Sequence, residues 1–410
     1  MALVVALLLV AGLVSAAIES ADDGSDSPSN VAVGQSFEVD VNQPPPALEG
    51  QPGEIAREVH TLMRFVQQAR GLPFKQAVNV ALLGDADFRD RLMGDGDTDD
   101  DSDVTERVLR ALGLLERGVD LDEATESLLG AAVAGYYDPA ADDLVVRGEA
   151  LTASVRRTFV HELTHALQDQ HFDIDSSDDT ADKDKDEADA EQADPLPDDG
   201  GEGAEAFKSL IEGDAVRIER TFTDSLPIEE QKAAELEETQ AAIGISPSTP
   251  RILLELIGFP YVYGPEFATK VFESGGQARL DAAYVDAKPA STEHILHPDR
   301  YLAGATTREI DAPTVDETVI DEGVLGEYGL ALVLARLVGG PSALTAAEGW
   351  GGDRYVAWRD GDAACVRTKL AMDTAKDATE VVAALRAGAQ TRDRMTVTPG
   401  RAAITITMCG

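Results

Sequence analysis

Five consecutive residues, His161-Glu162-Leu163-Thr164-His165, carry the most specific chemical pattern in the chain. They lie in an apolar-periodic stretch from about Thr152 to Gln170, and that spacing predicts a helix. Side chains four apart on a helix share a face, so both imidazoles can reach one metal ion. Glu162 is turned by about 100° from His161 and can meet a water held beside that ion, as a general base. Val160 and Leu163 give the helix apolar support, and a candidate edge strand comes just before it.

A catalytic zinc site takes three protein ligands and keeps a fourth position for water. Two residues compete to be the third ligand. His171 stands ten residues after His161, but a ligand there requires the chain to turn after the second histidine. Ala166-Leu167-Gln168 continues the helix instead, which turns His171 about 120° away from His165. The other is Glu212, within Ser209-Leu210-Ile211-Glu212-Gly213-Asp214-Ala215, on a second apolar-periodic helix with 46 residues between it and His165. Much of that gap is an acidic loop, which can be long without moving the helices it joins. Glu212 is therefore the favoured partner of the two histidines.

The stretch HELTHALQDQHFD at 161–173, followed by LIEGDA at 210–215, resembles the gluzincin-type zinc metallopeptidases. It is similar more closely to a family of secreted, HExxH-bearing surface proteins and lipoproteins of haloarchaea and bacteria. Ala134-Gly135-Tyr136-Tyr137-Asp138, the segment Ala290-Ser291-Thr292-Glu293-His294-Ile295-Leu296-His297-Pro298, and Gly349-Trp350-Gly351-Gly352-Asp353-Arg354-Tyr355 carry the same resemblance. It extends from about Glu54 to the C-terminus. The resemblance implies a zincin-like core, zinc held by His161, His165 and Glu212, Glu162 as the base, and a peptide or protein substrate. Many gluzincins place Asp four residues after the ligand Glu, to orient a histidine; this chain has Val216 there, so Asp214 or Glu219 must take that role. A side chain that stabilises the oxyanion is also expected. His297 and His294 come first for it, then Tyr137 and Tyr301. The hairpin Ala131–Arg147 is expected to supply the edge strand that pairs with substrate backbone, with Tyr137 on the substrate side. A surface or binding protein that keeps the peptidase fold without catalysis is the alternative reading.

The elements that position these residues read as α+β: a helix-dominated core with an edge hairpin and a small C-terminal sheet. Residues 1–18 are almost wholly apolar and read as a signal peptide or an N-terminal anchor that tethers the chain to a membrane, so the protein is expected outside the cell or at its surface. Residues 19–53 read as a flexible acidic and Pro-rich tether. The metallopeptidase domain follows over 54–305, with a disordered acidic insertion at 173–205, and an α+β region over 306–410 packs on it. Cys365 and Cys409 fall in two predicted strands and are expected to pair in an oxidising compartment. At 95–106, Asp95, Asp97, Asp99 and Glu106 match the spacing of a calcium loop, but Asp100 stands where the sharp turn needs glycine, so the run reads as solvated acid.

Charge sets the remaining bounds. The 410 residues hold 76 Asp plus Glu against 34 Lys plus Arg, a formal net charge of -42, and 43% are apolar. The apolar share is enough for a core, while the polyanionic surface argues against a nucleic-acid partner. Only nine of the basic residues are Lys. The composition resembles that of proteins from halophilic archaea, whose compact state relies on high salt to screen self-repulsion.

Overall fold

The computed structural model describes residues 4–6, 41–46, 53–94, 101–174, 201–339 and 342–410. The expected α+β architecture is present: thirteen helices and two sheets among the described residues. Helix α1 (Gly53–Arg70) buries Val59, Leu62, Met63 and Val66, the three-and-four spacing that puts one apolar stripe against a core. Strand β2 (Asn79–Leu83), helices α2 (Asp85–Met93), α3 (Asp101–Leu112) and α4 (Leu121–Ala132) follow. Next comes the predicted hairpin, β3 (Gly135–Asp138) and β4 (Asp143–Arg147), paired antiparallel. Strand β2 runs parallel to β4, and the short segment β1 (Val4–Ala6) lies antiparallel along the outer edge of β3.

Helix α5 (Ala153–Phe172) carries the two histidines and packs under this sheet. The Thr152 side chain accepts from the Val155 N–H, a cap that fixes where the helix begins. Phe159, Val160, Leu163, Ala166 and Leu167 are fully buried with Leu144, Val146 and the apolar stripe of α1. That packing prevents the helix from rotating and so sets where its polar face points. Helix α6 (Glu202–Ser225) ends before Pro227, and α7 (Ile228–Ala242) continues the chain.

The long helix α8 (Arg251–Val285) crosses α6 with backbones nearly touching. A Cβ at Gly213 would lie 2.2 Å from the Gly264 carbonyl, and one at Gly264 would lie 2.1 Å from the Ser209 oxygen, so both positions require glycine. Pro260 and Pro265 interrupt its hydrogen-bond ladder, and it breaks at Gly275-Gly276, where Gly276 has φ 67°. Two short helices follow, α9 (Thr292–Leu296) and α10 (Pro298–Leu302).

The C-terminal part holds β5 (Val319–Gly323), α11 (Gly326–Val338), α12 (Ser342–Ala347), β6 (Trp350–Asp360), β7 (Ala363–Met372), α13 (Ala375–Ala389), β8 (Met395–Pro399) and β9 (Ile404–Cys409). Its sheet is antiparallel throughout, in the order β5-β6-β7-β9-β8. One continuous core joins it to the rest, with Leu210, Phe259 and Phe267 in the same cluster as Trp350, Leu370 and Val381. Cys365 and Cys409 stand opposite each other in the β7–β9 register and are bonded, with Cα atoms 4.1 Å apart. The bond spans 44 residues of sequence, so reduction should lower unfolding stability by up to about 4 kcal/mol, read as an earlier denaturant midpoint with and without reductant.

The acidic insertion expected over 173–205 is shorter at both ends where it can be described. Asp173 caps α5 in a left-handed conformation, and Glu202–Glu205 form the first turn of α6. Residues 175–200 lie outside the described residues, as do the tether apart from 41–46 and Gly53, most of the N-terminal apolar segment, and Asp95–Asp100 of the acidic run. Among the described residues no helix is long and apolar enough to cross a membrane.

Candidate metal centre

Helices α5 and α6 face each other with their polar positions inward. His161, His165 and Glu212 are all fully buried, and one ligand atom from each lies within 4.8 Å of the others. The two imidazoles, one helical turn apart, meet edge to face with ring centres 4.7 Å apart. Glu212 Oε2 is 3.2 Å from His161 Nε2 and 3.3 Å from His165 Nε2. His165 Nε2 and Glu212 Oε1 are buried atoms with no hydrogen-bond partner. Unsatisfied buried polar atoms are costly, and a cation between them would satisfy all three side chains. These residues can therefore hold a metal ion.

The surroundings act on charge as well as position. Burial alone would lower the His161 pKa, but hydrogen bonds to Glu212 and Glu219 outweigh it and push it up to about 10. Burial alone would raise the Glu212 carboxyl, but the neighbouring His165 charge and the His161 hydrogen bond hold it well below the usual carboxylate range. Without metal, His161 is thus protonated at neutral pH while Glu212 is ionised, and a metal must displace the proton. Metal affinity should accordingly rise with pH from about 7 toward 10, by about tenfold per pH unit for one displaced proton. Calorimetry in buffers of different ionisation heat would measure both the slope and the proton released; a pH-independent affinity would contradict it.

Each expected residue has a definite place. Glu162 is fully buried beneath β3: a Cβ at Gly135 would lie 3.1 Å from Glu162 Oε1 and 2.6 Å from Thr158 Cγ2. The glycine opens room over the Glu162 carboxylate. Glu219, seven residues after Glu212 and so on the same face of α6, fills the orienting role left open by Val216. Its Oε2 accepts from His161 Nδ1 at 3.2 Å, and its Oε1 accepts from Arg157 at 2.6 Å. Arg157 also pairs with Glu238 of α7. His171 points away from the centre, with Nε2 donating to the Pro73 carbonyl at 2.8 Å.

The residues expected to stabilise an oxyanion or touch substrate are engaged elsewhere. His297 Nε2 donates to Glu327 Oε1 of α11 at 2.8 Å. His294 accepts from the Ala290 N–H and donates to the Ala305 carbonyl, which fits a neutral ring whose pKa burial lowers. The Tyr301 hydroxyl donates to the Ala287 carbonyl. Tyr137 is fully buried, and its hydroxyl bonds Asp169 of α5 at 2.9 Å and Asp142 at 3.2 Å. It is a strut that ties the hairpin to the histidine helix. The aromatic side chain at the centre is one that sequence reading missed: the Tyr261 ring of α8 faces the His161 ring at an interplanar angle of 25°, 6.3 Å centre to centre. Nothing local in the sequence marks it, because the Gly213–Gly264 crossing is what brings α8 there.

Residues 314–408 match a family described as Domain of unknown function (DUF8575). The match covers the C-terminal sheet and its helices and leaves out the metal centre. No curated protein and no solved structure matches the chain.

Proposed function

We propose that the protein is a zinc-dependent metallopeptidase acting outside the cell, in high salt. The observation that carries this is the convergence of His161, His165 and Glu212 with Glu162 beside them under the glycine of an edge strand. Two imidazole nitrogens and one carboxylate are a donor set suited to zinc, and three protein ligands leave a position for a reactant. A bound zinc ion would supply a Lewis acid that polarises a peptide carbonyl and acidifies water.

The chain's own residues supply the rest. Glu162 takes the proton from the attacking water and returns it to the departing amine. A structural metal site has no need of such a carboxylate, which favours catalysis over a binding role. Strand β3 lies over Glu162, and its outer edge accepts an antiparallel strand, Val4–Ala6, so an extended peptide can pair there. Tyr261, whose ring centre is 6.3 Å from that of His161, is a candidate donor to a developing oxyanion, whereas the His297 ring is bonded to Glu327. The apolar N-terminal segment and the Cys365–Cys409 bond both favour an exported protein.

The test is hydrolysis of a mixed peptide library by the purified chain in molar salt. Cleavage should stop with a zinc chelator and return when zinc is added back. A zinc-loaded, folded chain that cleaves nothing would leave the metal site standing and exclude the peptidase reading.

A further inference from the structure

The His165 ring is held from behind by four residues drawn from four separate stretches of chain. His165 Nδ1 is 2.9 Å from Gln168 Oε1, one turn along the same helix. The Gln168 amide nitrogen donates to the Ile211 carbonyl at 3.0 Å and to the Tyr284 hydroxyl at 2.9 Å. Tyr284 in turn donates to Asp214 Oδ2 at 3.1 Å, and the same oxygen accepts from Arg70 Nε at 2.6 Å. Gln168, Asp214 and Arg70 are fully buried, and Tyr284 nearly so. Asp214 also accepts from Arg217 at 2.9 Å, and Arg70 donates to a second carboxylate, that of Asp281, at 2.7 Å.

The direction of every bond in this series follows from its far end. A guanidinium can only donate, so Asp214 accepts as a carboxylate. With no proton of its own to give, Asp214 obliges Tyr284 to donate to it. The Tyr284 oxygen is then free to accept from the Gln168 amide, and the Ile211 carbonyl demands the same amide orientation. Gln168 Oε1 is left facing His165, and it can only accept. A neutral His165 ring must therefore carry its proton on Nδ1, which leaves Nε2, the atom facing Glu212, as the lone pair for a metal.

We propose that Arg70, Asp214, Tyr284 and Gln168 form an oriented donor–acceptor series that fixes the tautomer of His165 and presents its Nε2 to the metal. They are positioning residues, and the neutral amide of Gln168 does for His165 what the Glu219 carboxylate does for His161. Four elements, α1, α5, α6 and α8, contribute, so the ligand's tautomer is tied to the assembly of the whole core. The inference rests on the metal reading above only for its effect on zinc affinity; the tautomer is a property of the metal-free chain.

Long-range proton–nitrogen spectra of the metal-free, histidine-labelled chain in high salt test it directly. The neutral His165 ring should show its proton on Nδ1 alone. Gln168→Leu should leave a mixture of tautomers and weaken zinc binding by roughly 10–100-fold, measured by chelator competition. Tyr284→Phe keeps the ring, which stacks on Phe172 with centres 4.4 Å apart, and cuts one link, so its loss should be smaller, roughly 2–10-fold. A wild-type His165 protonated on Nε2 would overturn the proposal without any variant. A folded Gln168→Leu chain with unchanged tautomer and zinc affinity would overturn it too. Should the wild-type chain bind no zinc, the metal reading falls, and the spectra still decide the tautomer.

Discussion

Replacing Glu162 by Gln should lower peptide hydrolysis by about 10²–10⁴-fold while zinc stays near one ion per chain. The substitution keeps size and shape in a fully buried position under Gly135, so the fold has little reason to change. What it removes is the ability to take a proton from water and give it to the leaving amine. Glu162 stands outside the group of three ligand atoms, so metal content should be unaffected. Metal analysis beside a peptide assay, both in high salt, separates the two effects. Hydrolysis that survives the substitution would exclude Glu162 as the base.

Glu212→Ala should have the largest effect on the metal. Removing a buried ligand is more severe than removing a partner behind a ligand, which costs 10–100-fold, so zinc affinity should fall by more than roughly 100-fold. The change also strips His161 of the carboxylate 3.2 Å from its Nε2, leaving a buried, proton-carrying ring with one partner fewer. The metal-free variant should therefore be less stable as well, by about 3–5 kcal/mol. His171→Ala is the matched comparison. Its ring bonds the Pro73 carbonyl, well away from the centre's hydrogen bonds, and its loss should leave zinc affinity unchanged. If His171→Ala releases zinc and Glu212→Ala does not, the histidine-rich pattern holds the ion instead.

Much of the centre was legible because helices impose short, strict periods. His161 and His165 had to share a face, His171 had to leave it, and Glu219 follows Glu212 by two turns. The hairpin was readable from two apolar runs around Asp138-Pro139, and the Cys365–Cys409 bond from two cysteines in predicted strands of a chain expected in an oxidising compartment. What escaped depends on packing between distant segments. Tyr261 reaches His161 only because two glycines let α6 and α8 touch. Arg70 and Tyr284 act on His165 through partners more than 70 residues away or at the end of such a series. His297 was chosen for its chemistry, yet Glu327, thirty residues on, is what claims its ring. Strands β5 and β8 were missed for a related reason: each is an outer strand of its sheet with mostly unburied residues, so neither shows a strong apolar run.

The most direct measurement is the anomalous scattering of a zinc-loaded crystal, recorded on both sides of the zinc absorption edge. One peak should lie enclosed by His161 Nε2, His165 Nε2 and the Glu212 carboxylate, with Glu162 beside it. Zinc found elsewhere, or held by the two histidines with Glu212 turned away, would contradict the account.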